Sequence, residues 1–354
     1  MRAARFHGRE DIRLEEVTEP EAGPGEVKLR VLYAGICGTD VHEYYNGPLF
    51  TPGNVPHPLS GVTNPVILGH EMSGEVVEVG AGVTSVAVGD LVAVEPLQTC
   101  GTCLFCLAGR YNLCPTRAAH GLSRAGGAFS EHTTVTERMA HRLPSEIDPV
   151  RGALVEPMTV GMHAARRAAC MPGGSAAVLG AGPIGLATAV SFAALGVGVI
   201  LSDPSARRRE AARKLGFEHV LDPTAEDVAA AILDLTDGVG VDASVDAAGV
   251  PAAMETALDV TRADGIVAVV AVPLAPITLE IPRFRRAEVR VTMSNGPVLV
   301  DWTEVIRLMA DGSFPAGDWI EMIAFDDLVA SGFEPLHRQE QVKVLIDVAG
   351  TIAS

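Results

Sequence analysis

Residues 176–185 read Ala-Ala-Val-Leu-Gly-Ala-Gly-Pro-Ile-Gly and run on into the Ala-rich stretch Ile184 to Leu195. A short apolar strand, a G-x-G-x-x-G turn and a helix in that order constrain a chain tightly, because each glycine answers a separate steric demand. Gly180 permits the tight turn, Gly182 lets a pyrophosphate approach the backbone, and Gly185 lets helix and strand pack closely. Pro183 and Ile184 open the helix, whose first N–H groups lack intrahelical partners and attract phosphate. A structural βα turn with no nucleotide is the contrasting reading. The alternation continues downstream. Gly198–Leu201, Val220–Leu221, Val241–Val245, Gly265–Val270 and Val289–Met293 read as strands. Ala206–Leu215, Glu226–Leu235 and Pro251–Val260 read as helices. Uniformly apolar strands between helices predict a parallel sheet covered on both faces.

Asp203 ends the second of these strands, 23 residues after Gly180. A carboxylate there accepts hydrogen bonds from an adenosine ribose and repels a 2′-phosphate, which favours NAD over NADP. Arg207 and Arg208 follow closely, and a guanidinium could meet a phosphate instead; the in-strand carboxylate is weighed above them. Asp203 could also be no more than a turn residue before Pro204.

At 354 residues the chain is long enough for about two domains. A formal net charge of −17 argues against nucleic-acid and anionic-membrane partners, which both call for a basic surface. The longest apolar region, Ala176 to Leu201, is interrupted by Gly180, Gly182, Pro183 and Gly185, so no membrane span is expected. No hydrophobic signal segment opens the chain, so the expectation is a cytoplasmic protein with reduced thiols. Residues 1–157 look mostly β: Glu26–Ala34, Gly74–Gly80, Asp90–Glu95 and Ser130–Val135 are Val-rich or alternating runs between turns, which suits a Greek-key β barrel. Residues 158–296 carry the βα pattern. Residues 297–354 hold one expected helix (Asp301–Met309) and a strand (Val342–Asp347), too little for a domain, and are expected to return to the first stretch.

Four cysteines, Cys100, Cys103, Cys106 and Cys114, fall within one fifteen-residue stretch. In a reducing compartment thiols this close hold a metal, and four thiolates describe a closed tetrahedral structural zinc site. The bacterial iron–sulfur run competes, because it also begins C-x2-C-x2-C and ends Cys-Pro. Its last gap is x3, whereas here it is x7. A second group is dispersed: Cys37 in Cys-Gly-Thr-Asp-Val-His, then His70 and Glu71 about thirty residues on. A thiolate, an imidazole and a carboxylate make the mixed ligand set of a catalytic zinc, although a lone His is more often a core residue. Glu156 stands in an apolar run at the domain seam, where a buried carboxylate needs a partner or a metal. Cys170 lacks ligand company and reads as a small hydrophobe.

The order and spacing of Gly35-Ile36-Cys37-Gly38-Thr39-Asp40, Gly69-His70-Glu71, the four-cysteine lobe, Glu156-Pro157 and Gly180–Gly185 resemble the zinc-containing medium-chain alcohol dehydrogenases along nearly the whole chain. The resemblance implies an α/β protein: a GroES-like β-barrel catalytic domain (1–157, completed by 297–354) around a Rossmann domain (158–296). It implies two zinc ions per chain. One is structural; the other is catalytic, on Cys37, His70 and Glu156, with Glu71 exchangeable. Thr39 and His42 would form a proton path. It also implies NAD, a small alcohol or ketone substrate, and a homodimer or homotetramer, with the edge strand Val289–Met293 as the expected contact. The loop Glu43–Asn64 and the stretches Gly332–Leu336 and Gln341–Ile346 look like the (R,R)-2,3-butanediol dehydrogenase branch. Tyr44, Leu49 and Phe50 are expected to offer apolar surface to a short diol. Sorbitol and other polyol dehydrogenases, or another zinc-dependent secondary alcohol dehydrogenase, are the alternatives; the polyol enzymes usually carry a Phe-Arg-Tyr segment where this chain has Met293-Ser294-Asn295. A nucleotide-binding relative without zinc chemistry is a contrasting reading, opposed by intact Cys37, His70 and Glu156.

Overall fold

The run Ser175–Leu179 has neighbours on both edges and helices over it, which is why it tolerates no polar side chain after its first residue. It pairs in parallel with Gly198–Ser202 on one side and Val241–Asp246 on the other. From edge to edge the parallel sheet runs His219–Leu221, Gly198–Ser202, Ser175–Leu179, Val241–Asp246, Thr261–Val269, Arg290–Met293. The strand order reverses beside Ser175–Leu179, the place where doubly wound sheets bind ligands. Helix Pro183–Ala194 is buried from Gly185 through Phe192, as expected of a helix apolar on every side.

The computed structural model describes residues 1–273, 275–279, 281, 285–315 and 319–350; the last four residues of the expected return segment lie outside these. The chain divides into two units: Met1–Glu156 with the chain from Ile320 onward, and Pro157–Trp319. The return therefore starts at Ile320, not at 297. Helix Leu299–Ala310 stays with the second unit because Asp301 accepts bonds from His163 Nδ1 (2.8 Å), Arg166 (2.7 Å) and the N–H of Val298 (2.9 Å).

In the first unit the long strand Glu26–Ile36 is the hub. Its first half pairs with His132–Thr136 and its last residues pair with Lys343–Asp347, while Glu71–Val79 runs along its other edge. Register shifts between Lys28 and Leu29 and between Val31 and Tyr33 interrupt the pairing with Glu71–Val79. A three-stranded sheet of Arg2–Gly8, Asp11–Glu16 and Val66–Ile67 completes the unit. Phe6, Leu29, Leu68, Met72, Phe129 and Phe333 fill its core. Among the described residues no helix is long and apolar enough to cross a membrane.

Asp301 is fully buried. Burial alone would raise its pKa, but the bonds from His163, Val298 and Arg166 hold it below the ordinary carboxylate value. Its stabilising contribution is thus complete above that value and lost as the pH falls through the depressed one. Asp301→Ala should cost about 1.5–3 kcal/mol, the range for a charged hydrogen-bond partner. Calorimetric melting at neutral pH checks this, and the deficit against wild type should shrink in acid.

Candidate active site and metal centres

The cysteine lobe is built by tight turns. Cys100 Sγ lies 3.6 Å from Cys114 Sγ and 3.9 Å from Cys106 Sγ, and Cys103 Sγ lies 3.5 Å from Cys106 Sγ. Sulfurs at tetrahedral corners about 2.3 Å from one ion stand about 3.8 Å apart, so the four thiols fit zinc. The spacing is far too long for a disulfide, and all six cysteines of the chain are free. Backbone N–H groups of Thr102 and Cys103 pull the Cys100 thiol down to about 6, whereas burial and the Cys103 thiol push Cys106 up to about 11. Four sulfurs in contact cannot all ionise without a cation among them.

The second centre begins at helix Gly38–Asn46. Cys37 is its N-cap residue, and Asp40 at the third helical position accepts the Cys37 N–H at 3.0 Å. Strand Glu71–Val79 brings His70 and Glu71 alongside. The ligand atoms of Cys37, His70 and Glu71 all lie within 4.8 Å of one another. Asp40 is wholly buried, and its Oδ1 faces His70 Nδ1 at 3.4 Å; both atoms otherwise lack a partner. That pairing suits a metal-binding imidazole, whose distal N–H is normally oriented by a carboxylate. Burial would lower the His70 pKa, yet the charges of Asp40 and Cys37 raise it well above the ordinary value. The surroundings therefore favour positive charge at this spot.

Two carboxylates compete for a cation here. Glu71 Oε2 is paired with Lys343 Nζ, which also donates to the Ile36 carbonyl at 3.0 Å; both side chains are 1% exposed. Glu156 lies outside the 4.8 Å set. Its carboxyl is pushed up to about 7 by burial, with Glu71 and Asp40 adding to the shift and His70 and Lys343 opposing it. Thr39 and His42 sit on the same helix three residues apart, hence on one face. Burial, and then the charge of His337, lower the His42 pKa, so its imidazole is neutral near pH 7.

In the second unit, Gly180 has φ +103°, and a side chain at Gly185 would place its Cβ 1.8 Å from the Gly180 carbonyl. Gly182 is the N-cap of the helix begun by Pro183 and Ile184, with no side-chain cap on the exposed N–H groups. Asp203 accepts from Ala181 N at 2.8 Å and from Ser205 N at 2.7 Å, so turn and carboxylate hold each other. Arg208 reaches toward Asp203 (3.7 Å) and lies over Gly182, and its Nε is buried without a partner. Arg207 is exposed, and Arg209 is spent on the Asp203 and Pro204 carbonyls and on Asp222.

The expected apolar surface needs correction at Tyr44, which is 9% exposed and packs edge-on against Tyr45 and Phe333. Leu49 and Phe50 remain exposed. Sequence reasoning missed Asp40 and Lys343. Asp40 carried a signal, an acid three residues after a candidate ligand at a helix start. Lys343 carried none.

Residues 23–145 match the alcohol dehydrogenase GroES-like domain and residues 183–311 the zinc-binding dehydrogenase domain. The chain is 39% identical over 356 residues to an (R,R)-butanediol dehydrogenase of Bacillus subtilis (strain 168), covering 98% of this chain and 99% of that protein. It is 38% identical over 284 residues to a sorbitol dehydrogenase of the same organism, covering 80% and 78%. The crystal structure of 2R,3R-butanediol dehydrogenase from Bacillus subtilis has a TM-score of 0.92 and 38% identity to this chain, with 98% and 99% covered.

Cys103→Ser removes one corner of the lobe. It should release one zinc equivalent relative to wild type and lower the melting temperature, because a closed site contributes folding free energy. Elemental analysis and calorimetry on the same preparation check both.

Proposed function

The chain belongs to the zinc-dependent medium-chain alcohol dehydrogenases, and from that premise we propose that it interconverts (R,R)-2,3-butanediol and acetoin with NAD. The observation that carries the reading is the cradle in which Cys37, the cap of the helix that bears Thr39 and His42, meets His70 and Glu71 at the start of strand Glu71–Val79. Full-length similarity to butanediol dehydrogenases supports the substrate. Met293-Ser294-Asn295 offers no cation to a long polyol chain, and the nearby Arg167 is engaged by the Met293 carbonyl and Thr292 Oγ1.

When bound, zinc polarises the substrate oxygen, and the nicotinamide takes or returns the hydride. Cys37, His70 and Glu156 would hold the metal, with Asp40 Oδ1 facing His70 Nδ1 to orient its ring. The pairing of Glu71 with Lys343 supports assigning it as the exchangeable ligand. The raised pKa of Glu156 marks it as the carboxyl with most to gain from a cation. During oxidation Thr39 Oγ1 would accept the hydroxyl proton while releasing its own through the nicotinamide ribose to the neutral His42 ring, which would pass it to solvent. Cys100, Cys103, Cys106 and Cys114 hold a second, structural zinc. Asp203 reads the ribose hydroxyls, with Arg208 beside it, and Gly180–Gly185 receive the pyrophosphate. The exposed edge strand Arg290–Met293, with Val291 42% and Met293 60% exposed, supports self-association into a homodimer or homotetramer.

An assay by NADH absorbance over a panel of alcohols tests the substrate. Oxidation of (R,R)-2,3-butanediol should exceed that of sorbitol; faster sorbitol turnover would assign the polyol branch. NAD should exceed NADP by more than about tenfold in kcat/KM, and Asp203→Ser should narrow the gap by freeing the neighbouring arginines for phosphate. Diol oxidation should rise with pH along a limb below the ordinary imidazole value, and His42→Ala should slow it chiefly there. An unchanged pH profile in that variant would remove His42 from the path.

A further inference from the structure

Glu43 is wholly buried on helix Gly38–Asn46, and its carboxylate is enclosed by the loop that follows. Oε2 accepts from Leu49 N at 3.0 Å and Phe50 N at 2.7 Å. Oε1 accepts from Thr51 N at 3.3 Å and Thr51 Oγ1 at 2.6 Å. Asn64 Nδ2 ties the same hydroxyl from the far side at 3.1 Å. Gly47 makes the approach possible. A Cβ there would stand 2.3 Å from the Glu43 carbonyl and 2.8 Å from Oε1, while its φ of −68° suits any residue. Space, not conformation, demands the glycine.

We infer that Glu43 is a positioning residue that clamps residues 47–51 as an apolar wall against the substrate, and so sets which alcohols the enzyme accepts. Desolvating a carboxylate is unfavourable unless its oxygens are fully bonded. Closing a surface turn does not need such a group. What the clamp achieves is to turn three consecutive amides inward, leaving Leu49 and Phe50 49% and 36% exposed while Thr51 is 7% exposed. Large apolar side chains held rigidly in solvent mark a contact surface. The clamp is anchored to the helix that carries Cys37, Thr39 and His42. That helix is itself fixed by Tyr44 against Phe333 (5.3 Å between centroids) and Tyr45 stacked on His337 (3.9 Å). Nine residues of helix span about 14 Å, so the wall stands in fixed register with the metal ligand. It suits the methyl-bearing side of a short secondary alcohol or diol, and disfavours a long hydroxylated chain.

The inference rests on the alcohol-oxidising function proposed above, and the test separates the two. Wild-type holoenzyme is compared with Glu43→Gln, Glu43→Ala, Gly47→Ala and Leu49→Ala by amide hydrogen exchange and by kcat and KM for 2,3-butanediol, 2-butanol and sorbitol. Exchange at Leu49, Phe50 and Thr51 should accelerate about 100-fold in Glu43→Ala and Gly47→Ala, and less in Glu43→Gln. KM for the best wild-type substrate should rise about tenfold with kcat held within about threefold, and its preference over sorbitol should fall about tenfold. Leu49→Ala should shift KM without faster exchange. A loosened loop with an unchanged substrate profile, or unchanged exchange in Glu43→Ala, overturns the inference. If Glu43→Ala does not fold, Gly47→Ala and Leu49→Ala decide it. If the wild type prefers an alcohol other than the diol, the substrate assignment falls, while the clamp is still judged on that alcohol.

Discussion

The first unit depends on how it balances buried charge around Cys37. Asp40, Glu71 and Glu156 are 0%, 1% and 7% exposed. One lysine, Lys343, is buried among them, paired with Glu71 and donating to the Ile36 carbonyl. Charges removed from water this completely persist only when paired or bound to a metal. The excess of negative groups favours a divalent cation, and the softness of the thiolate and imidazole favours zinc among such cations. Lys343 reaches this place because strand Lys343–Asp347 lies antiparallel to Glu26–Ile36. The chain's return after Ile320 is thus part of the electrostatics of the site as well as of the sheet.

Helix Gly38–Asn46 is the frame on which the remaining parts are mounted. Its cap is Cys37, its first turn carries Thr39 and Asp40, whose Oδ1 faces His70 Nδ1, and its second carries His42 and Glu43. Its buried side is secured by aromatic packing from Tyr44 and Tyr45 against Phe333 and His337. One rigid element therefore sets the spacing among Cys37, Thr39, His42 and the loop held by Glu43, so that few independent adjustments are needed to keep these groups in place. The second unit is preorganised differently. Ala181 N–H and Ser205 N–H both point at the Asp203 carboxylate, so the glycine turn and the carboxylate at the end of the next strand hold each other's shape.

Much of this was legible in the chain itself. The strand, turn and helix around Gly180–Gly185 stand where the pattern put them, because an apolar run and a glycine turn are decided by neighbours in sequence. The strands of the first half were found with ends displaced by at most three residues. The strands Arg2–Gly8 and Asp11–Glu16 were not anticipated: Arg5, Arg13 and Glu15 interrupt their apolar alternation, and the folded pair satisfies these charges through Arg5–Glu15 and Arg13–Asp11. Helix Gly38–Asn46 was also missed, since its sequence reads as a motif loop and is held helical by the Asp40–Cys37 bond and by packing. The boundary at 297 failed because Asp301 is tied to His163 and Arg166, contacts that no local periodicity reveals.

The sequence by itself determined the chemistry available: four thiols at knuckle spacing, a thiol–imidazole–carboxylate set, a phosphate turn and a carboxylate at the end of the next strand. Each is a matter of residue type and short separation, governed by backbone geometry within a few residues. Tertiary structure alone decided the assignments among them. Lys343 meets Glu71 across a separation of 272 residues, and Asp40 meets His70 from another element. Tyr44 went into the core, and Glu43 turned its carboxylate onto three amides. The physical reason is that a buried charge takes whichever partner the folded sheet brings within reach, and that partner is set by strand register and chain return rather than by anything written beside it.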